Sequence, residues 1–169
     1  MITKLPMGPY EEILCALAQS GVDFIVGGGV ACVLHGVERV TMDVDVAVQM
    51  QADNFGKFIA TMERLGLKPR VPIAPASLLD PETIKMIVQE KHALVFSFID
   101  PDRPFRHVDI FLRDDLSYAT LVDDVEWKEL YGTRIRVISR RRLLAIKEAI
   151  QPPRTKDLID IEWLRNNQP

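Results

Sequence analysis

The chain has 169 residues, a length that fits one domain, and 47% of them are hydrophobic, so a sizeable core is expected. Its net charge of −3 argues against a strongly basic nucleic-acid-binding surface, although Arg140–Arg142 form a local basic patch. The most apolar stretch, residues 24–34, is too short and too interrupted by glycine to span a membrane, and no signal peptide is expected because the first residues form no long apolar segment.

The two cysteines, Cys15 and Cys32, both lie in apolar segments. We interpret them as small buried hydrophobic residues of a reduced, cytoplasmic protein. A disulfide between them is the less favoured alternative.

Apolar periodicity and turn residues predict helices and strands that alternate along the chain. The helices are expected at residues 9–20, 30–35, 53–65, 81–91, 140–150 and 156–166. The strands are expected at residues 24–26, 43–48, 93–99, 106–112 and 134–138, with a proline-rich irregular segment at 69–75. This order predicts an α/β (α+β) fold in which helices flank a mixed sheet. We expect a single domain, 1–169, with a core at about 22–138 and a C-terminal helical segment at 139–169.

Asp43 and Asp45 alternate with aliphatic residues on the second predicted strand. Their side chains therefore point to the same side, with Cα atoms roughly 6.6 Å apart at about 3.3 Å rise per residue. Two carboxylates this close repel each other unless a cation lies between them, and Mg²⁺ prefers such oxygen ligands. The alternative is an acidic exposed strand face, although aspartate is disfavoured in strands.

Asp109 is a third acid inside an apolar strand segment, His107–Phe111. If that strand neighbours the strand of Asp43 and Asp45, three carboxylates converge. This is the minimum for a two-metal phosphoryl-transfer site. Taken alone, Asp109 is better explained as a solvent-facing acid on a hairpin strand.

Gly27–Gly29 lie between a predicted strand and a predicted helix, one helix before the acid pair. Glycine lets backbone N–H groups approach an anion closely, and a helix N-terminus favours negative charge. The run matches neither the Walker A loop nor the dinucleotide-binding fingerprint, and a tight strand-to-helix turn is the alternative.

Two patterns of charged residues lie near the C-terminal end of the sequence. Lys147 lies on or beside the apolar stripe of its helix, where it either extends to water or reaches a bound triphosphate. Asp157 and Asp160 are three residues apart, on one face of the last helix. An ordinary solvated helix start would also explain this second pattern.

Taken together, these segments resemble the minimal nucleotidyltransferases of the polymerase-beta-like superfamily, and most closely the AbiEii-type toxin branch. The matching segments are Gly28–Gly36, Arg39–Asp45, the strand acid Asp109, Leu143–Ala149 and Arg154–Asp160. The chain departs from many relatives in having no serine after its glycines and no tryptophan after the glycine pair. It is also shorter than the larger toxin relatives.

The resemblance implies a role for each matching residue. Asp43, Asp45 and Asp109 would be the catalytic and metal-binding acids, with Asp109 activating the acceptor hydroxyl. The nucleotide-binding residues would be Gly28, Gly29 and Lys147 on the phosphates, with Arg39 and Thr41 bracing the catalytic strand. Asp157 and Lys156 would lie on the acceptor side.

The expected activity is therefore a metal-dependent transfer of a nucleoside monophosphate from a nucleoside triphosphate to a hydroxyl. The expected cofactor is Mg²⁺ or Mn²⁺, and the acceptor is RNA, a protein or a small molecule. A role in a toxin–antitoxin or phage-defence system, with an antitoxin or toxin partner and no membrane, is implied. The alternative is an antitoxin-like or nucleotide-sensing binding protein with little or no turnover.

Overall fold

A computed structural model describes residues 6–167, which form seven α-helices and seven strands. The helices are α1 (Pro9–Gln19), α2 (Gly28–Leu34), α3 (Ala52–Arg64), α4 (Pro81–Glu90), α5 (Tyr118–Leu121), α6 (Arg140–Glu148) and α7 (Thr155–Asn166). The strands are β1 (Phe24–Gly27), β2 (Val44–Val48), β3 (Lys68–Pro69), β4 (Val95–Ile99), β5 (His107–Phe111), β6 (Val125–Leu130) and β7 (Thr133–Ile138). Short 3₁₀ segments lie at Pro75–Leu79 and Asp114–Leu116.

All seven strands belong to one mixed sheet in the order β3-β4-β5-β2-β1-β7-β6. The pairs β2–β5 and β1–β7 are parallel, and the other neighbouring pairs are antiparallel. This confirms the predicted fold class of a mixed sheet flanked by helices.

The core lies between the sheet and its helices. Val44 and Val46 of β2 are fully buried, as the alternating pattern predicts. In the part of the core beside α3, the rings of Phe55 and Phe58 stack at 5.8 Å, and Phe98 meets Phe58 edge-on at 5.6 Å. The Phe58–Phe98 contact joins α3 to β4, whereas β2 and β5 pair directly in the sheet, so the acids that they carry become neighbours.

The predicted helices and strands are all present, with ends that shift by a few residues. Helix α2 starts at Gly28 rather than Val30, so two glycines form its first turn. Five elements were missed: the two-residue β3, the four-residue α5, β6 and the two 3₁₀ segments. Among the described strands β6 pairs only with β7, at the sheet edge, and its partly exposed polar residues give no buried strand pattern.

The other whole-chain predictions have mixed outcomes. Cys15 and Cys32 are both buried, and neither forms a disulfide within the described part of the chain. No helix among residues 6–167 is long and apolar enough to cross a membrane. The predicted domain boundaries stay a prediction, and residues 1–5 and 168–169, at their two ends, lie outside the described residues.

Candidate active site

Asp45 and Asp109 lie directly opposite each other on the neighbouring parallel strands β2 and β5. Neighbouring strands are about 4.8 Å apart, so in-register side chains on one face are close neighbours. The sequence left open whether these strands meet, and the pairing brings the two acids together.

The Asp45 carboxyl has a strongly shifted pKa. Burial, and then the negative charges of Asp109 and Asp43, raise the pKa of Asp45 from 3.8 to about 6. The positive fields of His107 and Lys147 lower it by less. A bound cation would therefore stabilise the ionised form of Asp45.

Gly27–Gly29, which we call the glycine turn, pack against the other side of Asp45. Gly27 is its cross-strand partner on β1, and Gly28 has φ +59. A Cβ added at Gly28 would lie 2.0 Å from Asp45 Oδ2. Only glycine fits beside this carboxylate in its present rotamer, since even a methyl group would force it to move.

Arg39 and Thr41 cover the next residue of the turn. A Cβ added at Gly29 would lie 2.6 Å from Arg39 Nη2 and 2.7 Å from Thr41 Oγ1. The turn is therefore packed between a carboxylate and a guanidinium, which leaves no room for a side chain at Gly28 or Gly29.

His107 is a further site residue, and it was not among those predicted from the sequence. Its imidazole lies between two of the acids, with Nδ1 3.3 Å from Asp43 Oδ1 and Nε2 3.4 Å from Asp109 Oδ2. Ser97 donates a hydrogen bond of 2.5 Å to the other oxygen of Asp109. The available signal was the spacing, because a residue two positions before Asp109 shares its side of the strand.

The three acids supply the carboxylate oxygens that Mg²⁺ prefers, so the donor set fits the expected metal. Across residues 6–167, however, no group of three or more His, Cys, Asp or Glu side chains is arranged to hold a metal ion. Asp43 and Asp109 instead face His107, and Asp43 is 56% exposed. Binding a metal would require these two carboxylates to turn towards Asp45.

Lys147 is buried and does not extend to water, so that alternative is wrong. Its Nζ lies 3.1 Å from Asp157 Oδ1 and 3.0 Å from Asp160 Oδ2, and both carboxylates are fully buried. Burial lowers the pKa of Lys147, but its surroundings, including these two carboxylates, raise it above the ordinary value. Lys147 is therefore a charged lysine held by two acids from α7.

Two arginines complete this buried network. Arg39 Nε donates to Asp160 at 2.8 Å, and Arg154 Nε donates to Asp157 at 2.7 Å. Burial raises the pKa of Asp157, but hydrogen bonds from Arg154 and Lys147 outweigh it and hold the pKa well below its usual range. The network joins α6 and α7 to the segment that packs on the glycine turn. We call Arg39, Lys147, Arg154, Asp157 and Asp160 the charge network.

The structure therefore separates the predicted residues into groups. It brings Asp45, Asp109 and the glycine turn together, and it places Lys147 and Asp157 in the charge network. A solvated helix start does not describe Asp157, which is fully buried. Lys156 is exposed, and it takes no part in the contacts described above.

The chain is similar to known proteins in both sequence and fold. Residues 12–169 match the sequence model of a family described as "Nucleotidyl transferase AbiEii toxin, Type IV TA system". No curated protein matches the chain.

Several solved structures are similar in fold. The lincomycin-bound lincosamide antibiotic adenylyltransferase LnuA aligns with a TM-score of 0.62 and 19% identity, over 93% of this chain and 94% of that one. The antibiotic-resistance factor ANT(2'')-Ia gives a TM-score of 0.59 and 16% identity, over 94% and 81%. JHP933 from Helicobacter pylori gives 0.51 and 15%, over 97% and 68%. At these identities the likeness shows a shared polymerase-beta-like nucleotidyltransferase fold.

Proposed function

The chain belongs to the AbiEii nucleotidyl transferase toxin family, and we propose that it transfers a nucleoside monophosphate from a nucleoside triphosphate to a hydroxyl group. The observation that carries this proposal is the in-register pairing of Asp45 with Asp109, with Gly27 paired to Asp45 on its other side. Carboxylates next to a glycine turn combine a place for cations with backbone N–H groups for phosphates.

In this reaction the acceptor oxygen forms a bond to the α-phosphorus while the bond to the β-phosphate oxygen breaks. Pyrophosphate leaves, and the proton of the acceptor hydroxyl passes to a carboxylate, for which we propose Asp109. Asp43, Asp45 and Asp109 would hold Mg²⁺ or Mn²⁺, which would offset the charge of the triphosphate. The backbone N–H groups of Gly28 and Gly29 would bind its phosphate oxygens.

We propose that the charge network positions the site. Arg39 connects Asp160 to Gly29, and the positive field of Lys147 lowers the pKa of Asp45, so the network is close to the acids. A direct contact from Lys147 to the triphosphate stays a prediction, and in the structure its Nζ pairs with Asp157 and Asp160. Acceptor contacts by Asp157 and Lys156 also stay predictions.

The family description supports a role as the toxin of a toxin–antitoxin pair. We therefore propose an antitoxin as the protein partner and a cellular macromolecule, RNA or protein, as the acceptor. A small-molecule acceptor is the alternative, since LnuA, of similar fold, is by its name a lincosamide adenylyltransferase.

The proposal is tested with nucleoside triphosphates labelled separately at the α- and γ-phosphates. The protein is incubated with Mg²⁺ and each labelled nucleotide, with total RNA, lysate protein or lincomycin as acceptor. Transfer of the α-label to one acceptor, with the γ-label released in pyrophosphate, is expected. Transfer of the γ-label would show a kinase, and nucleotide binding without transfer would favour a sensor.

Gly28→Ala is expected to lower the rate of transfer by about 100-fold or more. Its added Cβ would lie 2.0 Å from Asp45 Oδ2 and would displace that carboxylate. Gly132→Ala is the matched control: Gly132 also has positive φ, +77, but among residues 6–167 no atom outside its chain neighbours lies within 4 Å of its added Cβ. Each substitution should cost about 1 kcal/mol of backbone strain. The measurements are the transfer rate and the melting temperature of each variant. Equal losses of transfer rate in the two variants would contradict the role of the glycine turn.

Asp45→Asn is expected to stabilise the metal-free protein at neutral pH. The folded-state pKa is raised to about 6. Protonated Asp45 therefore makes its whole contribution to the free energy of unfolding below about pH 4. That contribution is lost as the pH rises through about 6, because the carboxyl then ionises in the folded protein. Above that pH the substitution should add about 1–3 kcal/mol to the free energy of unfolding.

The measurement is urea unfolding in EDTA at pH 4 and pH 7. Asp123→Asn, at an exposed aspartate, is the control and should change little at either pH. A destabilised Asp45→Asn protein at pH 7 would show that the site does not strain this carboxylate.

A further inference from the structure

Strand β6 forms one edge of the sheet, and among residues 6–167 no strand pairs with its outer side. On its inner side it forms a hairpin with β7 through the two-residue turn Tyr131–Gly132, whose φ angles of 51 and 77 are those of a tight turn. The outer side of an edge strand presents backbone N–H and C=O groups that can pair with a strand of another chain.

The backbone hydrogen bonds show which residues of β6 point outwards. In an antiparallel pair, opposite residues alternate between those that exchange backbone hydrogen bonds and those that do not. The Ser139 N–H donates to the Asp124 carbonyl at 3.0 Å, and these residues extend the register of the hairpin by one pair. Every second residue counted from Asp124 therefore bonds to β7, and Val125, Trp127 and Glu129 direct their backbone N–H and C=O groups outwards.

The side chains along this edge are partly exposed, and they differ on the two faces of the strand. On one face Trp127 is 48% exposed, and the guanidinium carbons of Arg134 and Arg136 lie 4.5 and 4.9 Å from its ring centroid. On the other face the side chains of Glu126 and Lys128 are 42% and 30% exposed, with 3.3 Å between Oε2 and Nζ. The edge therefore carries an aromatic ring on one face and two opposite charges on the other.

This edge is complementary to itself. When a twofold axis passes through Trp127, this residue lies opposite Trp127 of the partner subunit, and Val125 lies opposite Glu129 of the partner subunit. All the outward backbone groups of the strand are then paired. Glu126 lies opposite Lys128 of the partner subunit, and the twofold axis repeats this pair. Each carboxylate thus gains a second ammonium neighbour, in a cross-strand arrangement that is stabilising.

The same charges disfavour the neighbouring register. If the axis passed through Lys128, the outward groups of Trp127 and Glu129 would still find partners. The two Lys128 side chains would, however, lie directly opposite each other, and like charges in that position are destabilising. The complementarity therefore selects one register, and it selects a second copy of this chain as the partner, because a twofold interface brings the same surface patch together from both sides.

We infer that the protein forms a twofold-symmetric dimer in which the β6 strands of two copies pair antiparallel, centred on Trp127, and join the two sheets into one. The cross-strand tryptophan pair covers ring surface that is exposed in a single copy. The opposite charges of Glu126 and Lys128 set the register. This inference goes beyond the proposed transfer reaction and uses none of its residues, so each can fail without the other.

The first measurement is sedimentation equilibrium of the full chain over a wide range of micromolar concentrations, where a species of twice the chain mass is expected. Glu126→Lys and Lys128→Glu should each weaken dimerisation by about tenfold or more, because each places like charges opposite each other. Glu90→Lys, at an exposed glutamate on α4, is the matched control and should not. A chain that stays monomeric at every concentration would overturn the inference.

Mixing the two charge variants separates the effect of the register from any effect on folding. The Glu126 carboxylate also accepts from the Arg140 N–H at 2.9 Å, so the melting temperature of each variant is measured first. Glu126→Lys leaves only positive charges on that face of β6, and Lys128→Glu leaves only negative ones. The mixture should therefore dimerise about as tightly as the original chain. A mixture of folded variants that associates no better than either variant alone would overturn the inference.

Disulfide cross-linking locates the axis independently of these charges. Both native cysteines are buried, so a single exposed cysteine reports on the interface. Opposite residues of a hydrogen-bonded pair have Cα atoms about 5.5 Å apart, which suits a disulfide. Trp127→Cys should therefore cross-link two chains under mild oxidation, whereas Leu158→Cys, at a side chain 53% exposed on α7, should not. Cross-linking through Lys128→Cys in place of Trp127→Cys, or equally through all three variants, would overturn the inference.

Discussion

Replacing Asp45 with asparagine is expected to lower the rate of nucleotide transfer by about 1,000-fold or more, a rise of about 4 kcal/mol in the activation barrier. Asparagine keeps the shape of the side chain but loses the negative charge that would bind a cation between Asp45 and Asp109. The protein should remain folded, because the substitution removes a carboxylate whose charge is strained by burial and by two neighbouring acids. The measurement is the initial rate of label transfer from an α-labelled nucleoside triphosphate.

Asp109→Asn should give a similar loss, since the two acids are in-register partners. Asp123→Asn, at an exposed position, should keep the full rate. An Asp45→Asn protein that keeps a tenth of the original rate would contradict a mechanism in which this carboxylate holds the metal.

The second large effect is expected at Lys147. Lys147→Met should lower the free energy of unfolding by about 3 kcal/mol, because it leaves Asp157 and Asp160 buried with fewer positive partners. Arg154 and Arg39 still pair with these acids, which keeps the loss at the lower end of the range for broken buried ion pairs. Urea unfolding at pH 7 measures the effect.

Lys156→Met is the matched control, because Lys156 is exposed and lies beside Asp157 in the chain. It should change the stability by less than about 0.5 kcal/mol. If Lys147→Met instead unfolds as the original protein does but loses transfer, the charge network is not structural. Lys147 would then act by contacting the triphosphate directly.

The acids and the glycine turn could be found in the sequence because each depends on local order. Strict alternation put Asp43 and Asp45 on one side of a strand, and the glycine run lay where a strand gives way to a helix. That Asp45 faces Asp109 could not be read from either segment. It follows from the parallel pairing of β2 with β5, and residues 49–106 separate these two strands.

The charge network was only partly predictable. The apolar stripe placed Lys147 near the core, and the spacing placed Asp157 and Asp160 on one face of a helix. Their meeting depends on how α6 and α7 pack, which neither pattern encodes. The spacing on β5 placed His107 on the same side as Asp109, but its contact with Asp43 depends on how separate segments pack.

The most direct test of the transfer site is a structure of the protein with Mg²⁺ and a nucleoside triphosphate analogue that cannot be cleaved between the α- and β-phosphates. We predict a metal ion about 2.1 Å from oxygens of Asp45 and Asp109, and phosphate oxygens accepting from the backbone N–H groups of Gly28 and Gly29. His107 should no longer lie between Asp43 and Asp109. A triphosphate bound elsewhere, with the carboxylates unchanged and no metal between them, would contradict the account.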